Sequence, residues 1–137
     1  MKVPTVHSQP LIAVRDVRAS SRWYQQLLGS DALPEHRHRD VYERIFSQGN
    51  LILQLHAWDE EDHPNLTNAN AAPPGHGVLL WFEVEDFDTV VAQARALRAE
   101  IVLEPHLNPR PNHREMWLRD PDGYVVVVVS PDADSRC

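Results

Sequence analysis

Histidine is the residue type in this sequence that most directly suggests chemistry. The chain has 137 residues, of which 8 are His and only 5 are Gly. Histidine changes charge near neutral pH and is the commonest metal ligand in proteins. Five of the eight, including His106, fall before the first expected strand, on half-exposed strands or in expected loops. His56, His76 and His113 are therefore the histidines that we expect near a shared site.

Tryptophan and glutamate recur together at a spacing of two residues. Trp81 is followed by Glu83, and Glu115 is followed by Trp117. Residues two apart in a strand lie on one face of the sheet. Indole rings accompanied by a few polar groups are typical of small-molecule pockets. Two structural explanations stay open, in which the indoles fill a core and the carboxylates pair with arginines.

The overall charge and composition exclude several classes of partner. Lys and Arg total 13 and Asp and Glu total 20, so the formal net charge is -7 with His neutral. Nucleic acid is not expected as a partner, because a phosphate backbone needs a basic face. The sequence has no apolar run long enough to span a bilayer and no secretory signal, so we expect a cytoplasmic protein without a membrane partner. Cys137 is the single cysteine, which leaves no disulfide framework and no cysteine-based zinc site.

The first half of the sequence predicts a strand, a helix and three further strands. An apolar run at 11–14 is typical of a buried strand. Asp16 can cap a helix whose apolar positions recur at helical spacing as far as Gly29, a residue type common at helix ends. Residues 32–38 and 41–46 nearly alternate between apolar and charged, as half-exposed strands do, and 51–56 follow a turn as another strand.

The second half repeats this order after a connection without periodicity. Residues 59–76 form that connection, which we expect to be either a lid over a site or a surface loop. Residues 79–84 then predict a strand, Asp86 a helix cap and 87–97 a helix. A short strand at 101–103 and a proline-rich loop at 105–111 follow, and strands at 114–119 and 124–129 flank a turn.

The two halves are expected to be one structural unit used twice. Val14-Arg15-Asp16 and Val84-Glu85-Asp86 align at a constant offset. A half of roughly fifty residues buries too little surface to be comfortably stable alone, so we expect the halves to share one core. We predict an α+β fold in a single domain, residues 1–137, with module 1 at about 7–58, a linker at 59–76 and module 2 at about 77–131.

The sequence resembles the vicinal oxygen chelate superfamily, which includes glyoxalases, extradiol dioxygenases and the fosfomycin- and bleomycin-resistance proteins. The resemblance covers about residues 9–130, and its most specific part is the turn Asp120-Pro121-Asp122-Gly123 that leads into the last strand. It implies two βαβββ modules that form a cup-shaped half-barrel of mixed sheet with the helices outside. It also implies a ligand bound on the concave side.

Metal-using members of that superfamily take one ligand from the first strand and one from the last strand of each module. The resemblance places these positions at Gln9, Gln54, Leu79 and Val127. A hydrocarbon side chain has no lone pair, and two neutral amides do not hold a divalent ion against water. We therefore predict no cofactor and no metal at the usual site, and whether the protein is an enzyme stays open. The alternative is a metal-dependent lyase, isomerase or dioxygenase with a displaced site, for which the candidate ligands are His7, His56, His76 and Glu115.

The metal-independent, bleomycin-resistance-like branch is the one that this sequence resembles in character. It implies a homodimer that binds a small aromatic or amphipathic molecule in its cup. Strand alternation places these candidate ligand-binding residues on the concave side: Gln9, Gln54, His56, Trp81, Glu83, His113, Glu115 and Trp117. No catalytic residue is predicted, since the motifs of nucleophilic hydrolysis and of phosphate binding are absent from the sequence. A protein-binding module with a filled cup is the third possibility.

Overall fold

A computed structural model of the chain describes residues 7–32, 40–59, 66–70, 72–73, 75–109 and 112–131. Module 1 contains β1 Leu11–Val14, α1 Val17–Leu28, β2 Asp31–Ala32, β3 Tyr42–Ser47 and β4 Asn50–Ala57. Module 2 contains β5 Leu79–Glu83, α2 Phe87–Ala96, β6 Glu100–Asn108, β7 His113–Arg119 and β8 Val125–Val129. Within the described ranges, neither helix is long and apolar enough to cross a membrane.

Each module folds into its own open sheet of four strands. Sheet A has the order β1-β4-β3-β2, and sheet B has the order β5-β8-β7-β6. The first and last strands of each module pair in parallel, whereas the other neighbours pair antiparallel. The predicted α+β fold of two βαβββ modules with mixed sheets is confirmed.

Both helices begin at the aspartates that the sequence indicated. Oδ1 of Asp16 accepts a hydrogen bond from the backbone N–H of Ala19 at 3.0 Å, and Oδ1 of Asp86 accepts one from Thr89 at 3.1 Å. These bonds satisfy N–H groups that the first helical turn leaves without a partner. Gly29 ends α1 with φ at 62°, a left-handed conformation that a residue without a Cβ adopts at little cost.

The two modules share one apolar core. Helix-facing residues of both sheets pack with α1 and α2 into a single cluster. At its centre Tyr24 of α1 is fully buried, and its hydroxyl donates to Oδ2 of Asp120 at 2.8 Å. Tyr124 donates its hydroxyl to the carbonyl of Ala13 at 2.8 Å, so a second buried bond joins module 2 to β1. The helix side of each sheet is therefore occupied by the other module as well as by its own helix.

Asp120 also shapes the turn that enters the last strand. Its Oδ1 accepts the backbone N–H groups of Asp122 and Tyr124, each at 2.9 Å. Burial raises the pKa of the Asp120 carboxyl, although these hydrogen bonds and the one from Tyr24 oppose the rise. Asp122 in turn accepts the backbone N–H of Arg15 through Oδ1 at 2.8 Å. This turn is thus a structural joint between the modules.

Strand β6 differs from the sequence-based expectation. A strand at 101–103 and a loop from 105 were predicted, but β6 continues to Asn108 and contains Pro105 and His106. The strand lies at the edge of sheet B, and its register shifts between Ile101 and Leu103 and again between Leu103 and His106. An edge strand with bulges tolerates a proline, which has no N–H to donate. Most of the predicted strand 32–38, with His36 and His38, lies outside the described residues, as does His63.

Candidate functional site

Sheet B turns one face to the helices and the opposite face away from them. We call the opposite face the inner face of sheet B. Alternation along β5, β7 and β8 places Leu80, Met116, Leu118, Val126 and Val128 in the core. Phe82 and Arg114 also lie on the helix side. The alternate positions form the inner face, and they are Leu79, Trp81, Glu83, His113, Glu115, Trp117, Arg119, Val125, Val127 and Val129.

Four side chains form an apolar row across this inner face. Trp81 pairs with Val127, Val127 with Trp117, and Trp117 with Leu103 of β6. The row crosses three strand spacings, or about 14 Å. Trp81 is 49% exposed and Leu103 44%, whereas Val127 between the two indoles is fully buried. Val127 has no exposed surface of its own, so the row offers a flat apolar molecule the exposed side chains of Trp81 and Leu103 at its two ends.

A buried carboxylate next to this row holds one of the indoles. Glu115 is 3% exposed, its Oε2 accepts from Nε1 of Trp117 at 2.9 Å, and its Oε1 accepts from Nδ2 of Asn108 at 2.7 Å. Nε2 of His113 and Nε2 of His106 lie 3.6 and 3.8 Å from the same Oε1. Burial raises the pKa of Glu115, but the two hydrogen bonds and the histidines outweigh burial, so the pKa lies below its usual value. Glu115 is thus an anion that positions Trp117.

Among the described residues, no arginine forms with Glu115 the ion pair that could have explained an inward glutamate. Arg114 pairs with Asp88 at 2.6 Å, and Arg119 pairs with Glu100 at 3.1 Å. His113 is 4% exposed, and its ring meets the edge of Trp81 with centroids 6.0 Å apart. Glu83 lies exposed at the end of β5. The five predicted site residues of module 2 therefore lie on one face of sheet B.

Gln54 and His56 lie on β4 of sheet A and alternate with the core residues Leu53 and Leu55, so they occupy the face turned away from the helices, which we call the inner face of sheet A. Gln9 was predicted on the first strand, but it precedes β1, which begins at Leu11. Gln54 accepts a hydrogen bond from the hydroxyl of Tyr42 and donates through Nε2 to the backbone carbonyl of Gln9 at 2.9 Å. Nδ1 of His56 lies 2.6 Å from the carbonyl of Ala57, and its ring centroid is 6.1 Å from that of Tyr42. Seven of the eight candidates thus divide between two separately hydrogen-bonded sheets, and Gln9 lies just before the first strand.

The positions that the resemblance assigns to a metal do not form a donor set. Leu79 and Val127 are hydrocarbons, and the amide oxygen of Gln54 already accepts from Tyr42. In the part of the chain that the structure describes, no three or more His, Cys, Asp or Glu are arranged to hold a metal ion. That search includes the displaced set His7, His56, His76 and Glu115. The described residues at these positions therefore do not fit the metal of such a cup.

The sequence analysis did not predict three residues of β6 that lie on the inner face of sheet B. Leu103, His106 and Asn108 join the sheet B site from β6, where Pro105 and two register shifts hide the alternation. It also missed a cleft of about 1280 Å³ between the modules. Trp81 and Ile52 are among the residues that line it. Neither feature has a local sequence signal, because each depends on which elements meet in space.

Comparison with known proteins agrees with this architecture. A family model described as Glyoxalase/Bleomycin resistance protein/Dioxygenase superfamily matches residues 6–128. None of the curated proteins compared with the chain matches it. A solved glyoxalase/bleomycin resistance protein/dioxygenase family enzyme from Burkholderia phytofirmans PsJN is 21% identical, with a TM-score of 0.73 over 90% of this chain and 96% of that chain.

Two further solved structures are similar at lower identity. Lactoylglutathione lyase from Agrobacterium tumefaciens is 18% identical, with a TM-score of 0.66 over 96% of this chain and 97% of that chain. TioX from Micromonospora sp. ML1 is 17% identical, with a TM-score of 0.65 over 91% of this chain and 95% of that chain. At such identities the structural likeness shows the fold alone. The family model, which matches most of the chain, shows that this protein belongs to the glyoxalase/bleomycin resistance protein/dioxygenase superfamily.

Proposed function

We propose that this protein binds a small aromatic or amphipathic organic molecule on the inner face of sheet B, without the usual metal. The observation that carries the proposal is the row Trp81, Val127, Trp117 and Leu103, whose two end members are nearly half exposed. Burial of apolar surface contributes roughly 25 cal/mol per Å². Stacking of aromatic rings adds about 0.5–1.5 kcal/mol per pair. A flat ring laid against the exposed side chain of Trp81 or Leu103 gains the first contribution, and stacking on the Trp81 indole adds the second.

Preorganisation of the row supports the proposal further. Glu115 fixes the Trp117 indole through its Nε1–H, and His113 packs on the edge of Trp81. Side chains that are already ordered lose little entropy when a ligand arrives. Such a site can act by sequestration, which needs no reaction and lowers the free ligand concentration according to affinity and protein concentration.

We propose that the binding form is a cytoplasmic homodimer in which the two copies enclose the ligand. Leu11 of sheet A and Leu79 and Trp81 of sheet B are inner-face residues that are 40%, 44% and 49% exposed in the single chain. Large exposed apolar side chains grouped on one face are typical of interaction sites. Because the helix sides of both sheets are already used within the chain, the inner faces are the sheet surfaces that a second copy would cover.

Titration of quinoline, acridine and naphthol, followed by tryptophan fluorescence and calorimetry, tests the binding proposal. We expect at least one of these flat compounds to bind, and Trp81→Ala and Trp117→Ala each to weaken binding by about tenfold, or about 1.4 kcal/mol. Trp58→Ala is the matched control, since Trp58 follows β4 in module 1. Absence of binding across a chemically broad panel would refute the proposal, as would an equal loss in the Trp58 variant.

The metal content of the purified protein separates this proposal from the metal-dependent alternative. Elemental analysis of protein purified without a His tag should find no stoichiometric zinc, nickel, manganese or iron. Stoichiometric metal that is lost in His56→Ala or His76→Ala would instead support a displaced-site enzyme.

The proposed homodimer has its own test. Light scattering should give twice the chain mass of 15.7 kDa. Leu79→Glu should convert the dimer to monomer, because it places a charge on the apolar face.

A further inference from the structure

We propose a second binding site on the inner face of sheet A, centred on Arg44, which takes the carboxylate of a small organic acid. The site lies on the other sheet from the aromatic row. It does not depend on the proposed binding of an aromatic molecule by Trp81 and Trp117.

Arg44 is a charged residue on this face whose Nε has no hydrogen-bond acceptor among the described residues. It lies on β3 in register with Gln54, and its guanidinium carbon is 5.5 Å from the ring centroid of Phe46. Its Nε is buried and donates no hydrogen bond. Other arginines in the described ranges, such as Arg95 and Arg114, hold a carboxylate at 2.9 and 2.6 Å. No described residue supplies one to Arg44.

The polar neighbours of Arg44 are already engaged with other groups. The hydroxyl of Tyr42 donates to the Gln54 oxygen, and the Gln54 amide donates to the carbonyl of Gln9. His56 has its contact with the carbonyl of Ala57. Because Nε itself is buried, a ligand carboxylate would bind the terminal nitrogens of this half-buried side chain through charge-assisted hydrogen bonds. The planar guanidinium matches a carboxylate in a bidentate pair.

The surroundings of Arg44 define the rest of the ligand. Leu11, Gln54 and Arg44 form a row across sheet A, with Leu11 40% exposed and two strand spacings, or about 10 Å, from Arg44. Phe46 lies next to the guanidinium. Arg44 supplies one positive charge to this site, and the protein as a whole has a net charge of -7. This balance favours a ligand with one negative charge over a phosphate dianion. The geometry therefore favours a carboxylate attached to a ring or a short alkyl group.

Benzoate is the probe for this site, and the side-chain Nε–H resonance of Arg44 in 15N-labelled protein is the readout. Arg44→Met identifies the resonance. We expect benzoate to shift it saturably, and benzamide and inorganic phosphate to bind at least tenfold more weakly. Trp81→Ala should leave the benzoate affinity at Arg44 unchanged, so the two binding proposals can fail separately. Equal affinity for benzoate and benzamide, or for benzoate and phosphate, would overturn the assignment.

Substitutions give the second arm of the test. Arg44→Met removes the cation but keeps an apolar stem, and calorimetry on protein that also carries Trp81→Ala, which removes binding at the aromatic row, should show at least a tenfold loss of benzoate affinity. Arg44→Lys keeps the charge but not the bidentate fork, so its loss should be intermediate. Arg22→Met makes the same change on the exposed side of α1 and should have no effect. An equal loss in the Arg22 variant would refute the proposal. If Arg44→Met does not fold, the Lys variant and the benzamide comparison decide.

Discussion

Replacement of Glu115 by glutamine is expected to destabilise the protein at neutral pH and to loosen the Trp117 indole. Oε1 and Oε2 of Glu115 accept one hydrogen bond each, from Asn108 and from Trp117. A glutamine has a single acceptor oxygen at this position, and its NH₂ group would face the second donor. One buried N–H therefore loses its partner.

The size of the effect follows from the bonds that change. Loss of one hydrogen bond to a charged group costs about 1.5–3 kcal/mol. Glutamine avoids the burial of a charge, which offsets part of this, so we expect a net loss of about 1–2 kcal/mol in the free energy of unfolding. For a chain of this length the melting temperature should fall by about 3–8 °C.

The pH dependence gives the prediction its sign. The folded-state pKa of Glu115 lies below the usual value, so the charged form contributes stability that is fully present above the unfolded-state pKa. That contribution is lost as pH falls through the lower, folded-state pKa. Glutamine does not titrate. The difference in stability between wild type and Glu115→Gln should therefore be complete at neutral pH and shrink once pH falls below about 4.3.

Urea denaturation at neutral and acidic pH measures this difference, and the indole N–H resonance of Trp117 reports the local change. Glu104→Gln is the control, because Glu104 forms an exposed pair with Arg95 and should change stability by less than about 0.5 kcal/mol. The reasoning fails if Glu115→Gln is as stable as wild type at neutral pH. It also fails if the stability difference is the same at both pH values.

Three further predictions test the joint between the modules, the alkaline limit of stability and a helix cap. Tyr24→Phe removes the buried bond to Asp120 and should lower the free energy of unfolding in urea by about 1.5–3 kcal/mol, and an unchanged value would contradict this joint. Burial raises the pKa of Tyr24 well above its usual range and that of Tyr124 to about 12, while both phenols of the unfolded chain ionise near the ordinary tyrosine value. Stability followed by circular dichroism should therefore fall above a pH of about 10, and Tyr124→Phe should make the fall shallower. Asp86→Ala should cost about 1 kcal/mol by removing the acceptor for Thr89, whereas Asp86→Asn should retain most of the stability in the same urea assay.

The inner face of sheet B shows how far sequence reasoning reaches. Alternation correctly placed Trp81, Trp117 and Val127 on one face, because the period of two is a local property of an extended chain. The role of Glu115 was not accessible in the same way. Its partner Asn108 lies seven residues away across the β6–β7 pair, and that register is shifted twice near Pro105. The pairing depends on bulges that no periodic pattern reveals.

Sheet A shows a different limit. Gln54 and His56 were expected to share a cup with the indoles of module 2, and they lie on the sheet of module 1, which is hydrogen-bonded separately from that of module 2. The chain order alone does not say which faces of the two modules meet. In the structure the buried bond from Tyr24 to Asp120 holds α1 of module 1 against the turn of module 2. That long-range contact decides where the inner faces point.

What the sequence determined by itself is the set of local features: the caps at Asp16 and Asp86, the helix end at Gly29, the turn from Asp120 to Gly123 and the βαβββ order of each half. These follow from backbone preferences and side-chain spacing, which act over a few residues. Only the tertiary structure decided that Glu115 is a buried anion hydrogen-bonded by Asn108 and Trp117, and that the Nε–H of Arg44 has no acceptor among the described residues. Both depend on which side chains arrive from distant strands, since burial and the supply of hydrogen-bond partners are properties of the assembled fold.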